Sequence, residues 1–107
     1  MPILRVLIFG IRSSEPGPFR LQNELIDAKN VGDVLGYLSN LLDVEFEPED
    51  KPDIAGTEPT WFRLCQSGIR LGTIGVYVER EGKRVCAKQD LDYTILENDL
   101  IIIGSVA

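Results

Sequence analysis

The residues best placed for chemistry are the last eight, Leu100-Ile101-Ile102-Ile103-Gly104-Ser105-Val106-Ala107, which end in a carboxylate. The run opens with apolar and β-branched residues that favour a buried strand, and it finishes in small residues that predict a flexible tail. A buried strand that delivers a free carboxylate into solvent indicates that the terminus itself takes part in function. We therefore expect the working part to be the tail formed by Gly104, Ser105, Val106 and Ala107.

The rest of the sequence offers little catalytic chemistry. The chain has no histidine, so it lacks any Ser/His or Cys/His pair and the commonest metal ligand. Its glycines form neither a P-loop nor a dinucleotide-binding fingerprint. Its carboxylates cluster in one loop and do not converge as two positioned groups, as general acid/base catalysis requires. We expect a binding or carrier protein with no catalytic residues, no cofactor and no metal.

The length and net charge of the chain narrow the class of protein further. A chain of 107 residues fits a single domain, and no apolar run approaches the ~20 residues of a membrane helix. Residues 3–10 are too short and too poorly flanked for a signal peptide. The net charge of −6 argues against direct nucleic-acid binding and suits basic partner surfaces. We expect a cytoplasmic monomer with no membrane contact.

The two cysteines, Cys65 and Cys86, form no C-x-x-C motif. They are consistent with small, partly buried residues of a reducing compartment, and a reactive thiol is the alternative.

Short runs of β-forming residues predict two hairpins and a last strand. The predicted strands cover residues 3–9, 19–26, 68–79, 84–87 and the run from Leu100 onward. In the first strand the alternating residues Leu4, Val6 and Ile8 are all apolar, so we expect this phase to face the core.

An unbroken helical stripe of apolar residues follows the first hairpin. Asn30 is predicted to cap the helix, with Asp33 near the positive end of its dipole. The stripe, spaced i, i+3, i+4, i+7, i+10, i+11, consists of Val31, Val34, Leu35, Leu38, Leu41 and Leu42. We expect a helix of about three turns that packs this face on the sheet.

Residues 43–60 are predicted to form a long acidic loop. This segment contains seven carboxylate residues, three prolines and a single lysine. The segment fits either a solvated connector or a docking surface for a basic partner. Trp61 and Phe62, at its end, are expected to pin it to the core.

These elements predict one α+β domain over residues 1–107, with one main helix packed across one face of a mixed sheet. If the last strand runs parallel to the first in the middle of the sheet, the architecture is a β-grasp, the ubiquitin-like arrangement. Leu7, Phe9 and Ile102 would then share the open face, which is the side of the sheet that the helix does not cover. They predict a partner-binding patch there, unless the long loop folds over them through Trp61 and Phe62.

Three stretches resemble the ubiquitin-related modifier family of sulfur carriers. Leu4-Arg5-Val6-Leu7-Ile8-Phe9-Gly10 is similar to the family's first strand and the glycine after it. Asn30-Val31-Gly32-Asp33-Val34-Leu35 resembles its "TVGDLL" helix start. Leu91-Asp92-Tyr93-Thr94-Ile95-Leu96-Glu97-Asn98-Asp99-Leu100 resembles its "DY-x-L-x-D-x-D" lead into the last strand.

The resemblance implies a carrier whose terminal carboxylate is adenylated by an ATP-dependent activating enzyme and then converted to a thiocarboxylate. It implies a role in tRNA wobble-uridine thiolation and in conjugation to lysines of target proteins. The wider group also includes the molybdopterin synthase small subunit and the thiamine-pathway sulfur carrier. A molybdopterin-synthase-type subunit is therefore a related alternative.

The family ends in Gly-Gly, whereas this sequence ends at Ala107, which aligns with the residue before that pair. Glycines let the tail thread a narrow channel in which a Cβ would clash. Two interpretations stay open. The chain is either a carrier shortened by two residues, or a non-conjugating ubiquitin-like interaction module that uses the open sheet face.

Overall fold

The computed structural model describes residues 1–9, 19–48, 60–85 and 91–106. These residues form one helix and a seven-stranded mixed sheet, an α+β arrangement. The elements are β1 (Ile3–Ile8), β2 (Phe19–Leu25), α1 (Val31–Leu42), β3 (Glu45–Pro48), β4 (Thr60–Gln66), β5 (Ile69–Arg80), β6 (Lys83–Val85) and β7 (Leu100–Val106).

The strand order is β2-β1-β7-β5-β4-β3, and β6 pairs with β5. β7 runs parallel to β1 and antiparallel to β5, so the last strand lies in the middle of the sheet, one of the arrangements that the sequence left open. The remaining pairs are antiparallel. Because β7 has a strand on each side, its backbone is paired along both edges.

The core lies between α1 and one face of the sheet. Leu4, Val6 and Ile8 are buried, which confirms the predicted phase of β1. The equivalent phases of the two neighbouring central strands are also buried, namely Ile101 and Ile103 in β7 and Ile74, Val76 and Val78 in β5. Period-2 alternation therefore gives the sheet one fully apolar face.

The helix begins as predicted. The Asn30 side chain accepts a hydrogen bond from the Asp33 backbone N–H at 2.8 Å, and Asp33 Oδ2 accepts one from the Lys29 backbone N–H at 2.9 Å. The prediction for Leu41 was wrong, because its side chain is 51% exposed. At 100° per residue Leu41 lies roughly 80° from the centre of the buried stripe, and it therefore sits on the flank of the helix.

The prediction of an unbroken loop over residues 43–60 was also wrong. Four of these residues form β3, which pairs antiparallel with β4. Glu45 and Glu47 are exposed while Phe46 packs against the core, so the segment alternates like an edge strand despite its acidic composition. Phe62 is buried in the core as expected, whereas the side chain of Trp61 lies outside the described part of the structure.

Both short hairpin turns require left-handed backbone. The β5–β6 turn has Glu81 at φ 53° and Gly82 at φ 77°. The β4–β5 turn repeats the pattern with Ser67 at φ 53° and Gly68 at φ 77°. Two successive positive-φ residues are typical of the turn that matches the twist of antiparallel strands.

Some predictions fall on residues outside the described ranges. They concern the turn at 10–18, the middle of the acidic loop at 49–59, the end of the returning strand at 86–87 and the terminal Ala107. Among the described residues, no helix is long and apolar enough to cross a membrane.

Gly36 provides a test of the helix packing. Its position is exposed and an added Cβ would meet nothing within 4 Å. Because glycine costs about 1 kcal/mol relative to alanine in a helix, we expect Gly36→Ala to raise the melting temperature by roughly 4 °C in a calorimetric scan. Gly32→Ala is the matched control: its Cβ would lie 3.1 Å from the Leu91 carbonyl oxygen and 3.3 Å from Asn30 Oδ1. An equal gain from both variants would contradict the described contact between α1 and Leu91.

Candidate functional site

The predicted tail is largely part of the sheet. Gly104 pairs with Leu7 of β1 and with Gly75 of β5, and the next two residues continue the ladder with β5. β7 ends at Val106, so three of the four predicted tail residues extend the strand and do not follow it. Their backbones are therefore held in an extended form, whereas the sequence predicted a flexible segment. Ala107 lies outside the described residues.

Gly104 is not required by packing at this position. A Cβ placed there would lie 3.8 Å from the Leu7 carbonyl oxygen, an ordinary contact. Gly104 lies in the phase of the open face, beside Gly75 of the adjacent strand, and Gly75 is buried. Neither glycine adds a side chain to this part of the sheet.

A buried ion pair fixes the start of β7. The Asp99 side chain is 1% exposed and accepts hydrogen bonds from Arg80 Nε at 3.0 Å, Arg80 Nη2 at 2.9 Å and the Leu96 backbone N–H at 2.8 Å. Burial raises the pKa of Asp99, but these hydrogen bonds and the attraction of the guanidinium outweigh it, so the pKa lies below its ordinary value. The hydrogen bond to Asp99 in turn raises the pKa of Arg80.

The segment before β7 is tied to the beginning of α1. The Gly32 N–H donates to the Leu91 carbonyl at 2.8 Å and the Val31 N–H donates to the Tyr93 carbonyl at 3.1 Å. Tyr93 packs against the core and lies under the Arg80 guanidinium at 5.9 Å. Leu91 is 45% exposed, so the hydrogen bond from Gly32 holds its backbone while its side chain lies at the surface.

The three predicted face residues share the side of the sheet opposite to α1. Phe9 is 55% exposed, and Leu7 and Ile102 are half-buried. The register pairs Ile102 with Arg5 in β1 and places Leu7 one repeat further along the same face. Phe62 lies in the core on the other side of the sheet, so this residue does not cover the patch.

Sequence reasoning missed two residues of this face. The register places Tyr77 beside Ile102, and the Arg84 guanidinium stacks over the Tyr77 ring at 4.2 Å. Arg84 also lies 3.8 Å from Glu79. Both residues stand in the strand phase opposite to the buried one, and that alternation is the signal that would have found them.

A groove lies on the other side of the molecule, between α1 and β3. It encloses about 260 Å³ and is lined by Gly32, Leu35, Gly36, Ser39, Glu45, Phe46 and Leu91. Its lining is mainly apolar. The lining includes the exposed carboxylate residue Glu45.

The described residues contain no group of three or more carboxylate or thiol ligands that could hold a metal ion. Cys65 is a free, half-buried thiol in β4, and Cys86 lies outside the described ranges.

The chain was compared with protein families and with individual proteins. No family model, no curated protein and no solved structure matches it. The resemblance of its three short stretches to sulfur carriers therefore stays a prediction.

The Asp99 carboxylate gives a test of how β7 is positioned. We expect Asp99→Asn to lower the free energy of unfolding by about 2 kcal/mol, because the buried side chain loses the charge that strengthens its hydrogen bonds with Arg80 and the Leu96 N–H. Chemical denaturation at neutral pH measures this loss. The control is Asp27→Asn at an exposed carboxylate, which should change stability by under about 0.5 kcal/mol.

The same pair predicts a pH dependence. The pKa of Asp99 is depressed in the folded state, so its stabilisation is present above the unfolded value of about 3.9 and is lost as the pH falls below it toward the folded value. The difference between the native chain and Asp99→Asn should therefore shrink below about pH 4. A difference that stays constant from neutral pH down to pH 2 would show that the pKa of Asp99 is not depressed in the folded state.

Proposed function

We propose that this chain is a β-grasp carrier of the ubiquitin-related modifier type, whose C-terminal tail is activated by an ATP-dependent enzyme. The observation that carries the proposal is the position of β7. This strand is parallel to β1 at the centre of a mixed sheet, and one helix packs across one face of that sheet. A strand paired on both edges is a rigid base from which a short tail can extend into another protein.

The segment from Leu91 to Leu100 supports the proposal. It resembles the motif that precedes the last strand in the family, and two of its residues, Tyr93 and Asp99, have a clear structural role here. Tyr93 packs on the core, Asp99 binds Arg80, and the Asp99 carbonyl accepts a hydrogen bond from Ile3 N–H at 2.8 Å. The motif therefore fixes where β7 begins relative to β1 and β5.

The extent of β7 explains why a carrier of this kind needs further residues after its strand. Ser105 and Val106 are bound in the ladder with β5, so a carboxylate close behind them would stay at the end of the sheet. Each extended residue adds at most about 3.5 Å. Ala107 followed by Gly-Gly would carry the carboxylate roughly 10 Å beyond the strand, and the glycines would pass a narrow channel without a Cβ.

The proposal is tested by adding Gly-Gly after Ala107 and incubating the protein with ATP and an activating enzyme of the sulfur-carrier class. We expect the extended chain to form an acyl-adenylate with release of pyrophosphate, and a thiocarboxylate when a sulfur donor is present. Intact-protein mass spectrometry measures both products.

Two controls accompany this experiment. Extension by Ala-Ala should give little product, because its methyl groups oppose threading at the same length. The unextended chain should also be slow. Absence of any adenylate from the Gly-Gly form with activating enzymes of both the tRNA-thiolation and molybdopterin branches would refute the carrier proposal.

A second candidate function is a non-conjugating interaction module. The observation in its favour is the large exposed side chain of Phe9, next to half-buried Leu7 and Ile102 on the open face. An exposed aromatic residue at the rim of an apolar patch is typical of a partner contact.

Phe9→Asp tests this second function. The substitution should leave the melting temperature nearly unchanged, because the side chain is mostly in solvent, and it should abolish retention of the partner by the immobilised protein. Leu41→Asp is the matched control, because Leu41 is similarly exposed but lies on the flank of α1, on the other side of the sheet. Equal loss from both variants, or loss from neither, would remove the open face from consideration.

A further inference from the structure

The open face of the sheet is basic although the protein is acidic. Of the six arginines in the described ranges, all but Arg80 lie on this face. They are Arg5 in β1, Arg20 in β2, Arg63 in β4, Arg70 in β5 and Arg84 in β6. The chain as a whole carries a net charge of −6, so positive charge is concentrated on one side of it.

The strand registers establish this placement. Arg20 pairs with Leu7, and Arg5 pairs with Ile102, both in the phase opposite to the buried one. On the other side of the sheet centre, Arg63 pairs with Thr73, and the Arg70 guanidinium donates to Thr73 Oγ1 at 3.1 Å. Arg84 pairs with Glu79.

Among the described residues, three carboxylates share the face and offset the charge of these arginines only in part. Glu47 lies 3.4 Å from Arg63, Glu79 lies 3.8 Å from Arg84, and Glu45 follows in the same phase of β3. The side chains of both pairs are partly exposed, so each pair is weak and exchangeable with an incoming carboxylate. In the part of the face that the structure describes, five guanidinium groups stand beside three carboxylates, which leaves this part positive.

Apolar side chains alternate with these arginines. One row across the sheet runs from Arg5 through Ile102 to Tyr77, and Arg84 stacks on that ring. Adjacent strands are about 4.8 Å apart, so Arg5 and Tyr77 are separated by roughly 10 Å, and the apolar side chain of Ile102 lies between them. Guanidinium groups bind carboxylates through paired hydrogen bonds, and the stacked ring holds one of them in place.

We propose that the open face binds an acidic peptide segment that carries apolar side chains. The carboxylates of the segment pair with the arginines, and its apolar residues cover Leu7, Phe9 and Ile102. A nucleic acid is the poorer fit, because its dense phosphate charge is repelled by the net negative charge of the rest of the molecule. This inference rests on the open face being a docking surface, as proposed for the interaction module, and it does not depend on activation of the tail.

The probe is a capped synthetic peptide of repeated Glu-Leu-Ser-Glu units, with a counterpart in which every Glu is Gln and a single-stranded oligouridylate as the nucleic-acid arm. Fluorescence anisotropy at low and high salt measures binding to the full chain. We expect the acidic peptide to bind more tightly than the Gln counterpart, with weaker binding at high salt. Amide shifts in β1, β5 and β7, and not in α1, locate the contact.

Matched charge reversals give the decisive comparison. Arg20→Glu, on the face, should weaken binding of the acidic peptide about fivefold. Lys29→Glu, directly before α1 and also exposed, should change it by less than about twofold because of screening. Equal effects of the two reversals would overturn the proposal, since binding would then follow net charge alone.

The other outcomes separate this inference from face docking in general. If the Gln peptide binds as tightly as the acidic one and Phe9→Ser weakens both, the face docks partners but the acidic class is wrong. If the oligouridylate binds more tightly and Arg20→Glu weakens it, the partner is a nucleic acid and the proposal fails. If no probe shifts the amides of β1 and β7, both the acidic class and the docking face are rejected.

Discussion

The carboxylate of Asp99 joins the parts of the chain that must meet for β7 to lie where it does. Its oxygens bind Arg80 at the end of β5 and the Leu96 N–H of the preceding turn, while its backbone carbonyl binds the first residue of β1. A parallel pair of strands cannot be joined by a tight turn, so its register needs another source. In this protein Asp99, the residue directly before β7, supplies it, because its carboxylate binds Arg80 of β5 and its carbonyl oxygen accepts a hydrogen bond from Ile3 of β1.

That register decides which residues of the sheet face α1 and which lie on the open face. With Ile101 and Ile103 directed at α1, Ile102 and Gly104 are directed at the open face, and a shift by one residue would exchange them. The same alternation puts Arg5 and Tyr77 beside Ile102. The arginines can therefore lie on one side without a basic segment in the sequence, because each strand contributes them one at a time.

The elements built from local patterns were predictable from the sequence. The capped helix and the first hairpin agree with the structure. β3 and β4 were missed because the acidic residues and prolines around them dominate the composition, and only the core contacts of Phe46 and Phe62 reveal the strand period. The basic face depends on long-range register, which composition and local periodicity do not contain.

The proposed tail and the basic face are not independent, because both depend on β7. Ile102 lies within the apolar part of the face and Gly104 lies two residues further along the same strand, beside Leu7. A partner seated on the face therefore lies next to the end of β7, within a few residues of the tail. An acidic, apolar segment on an activating enzyme would satisfy both requirements in one complex, with the sheet face supplying affinity and the tail entering the channel. If both proposals hold, the chemistry of the face limits which activating enzymes can bind the tail. The two proposals still rest on separate observations.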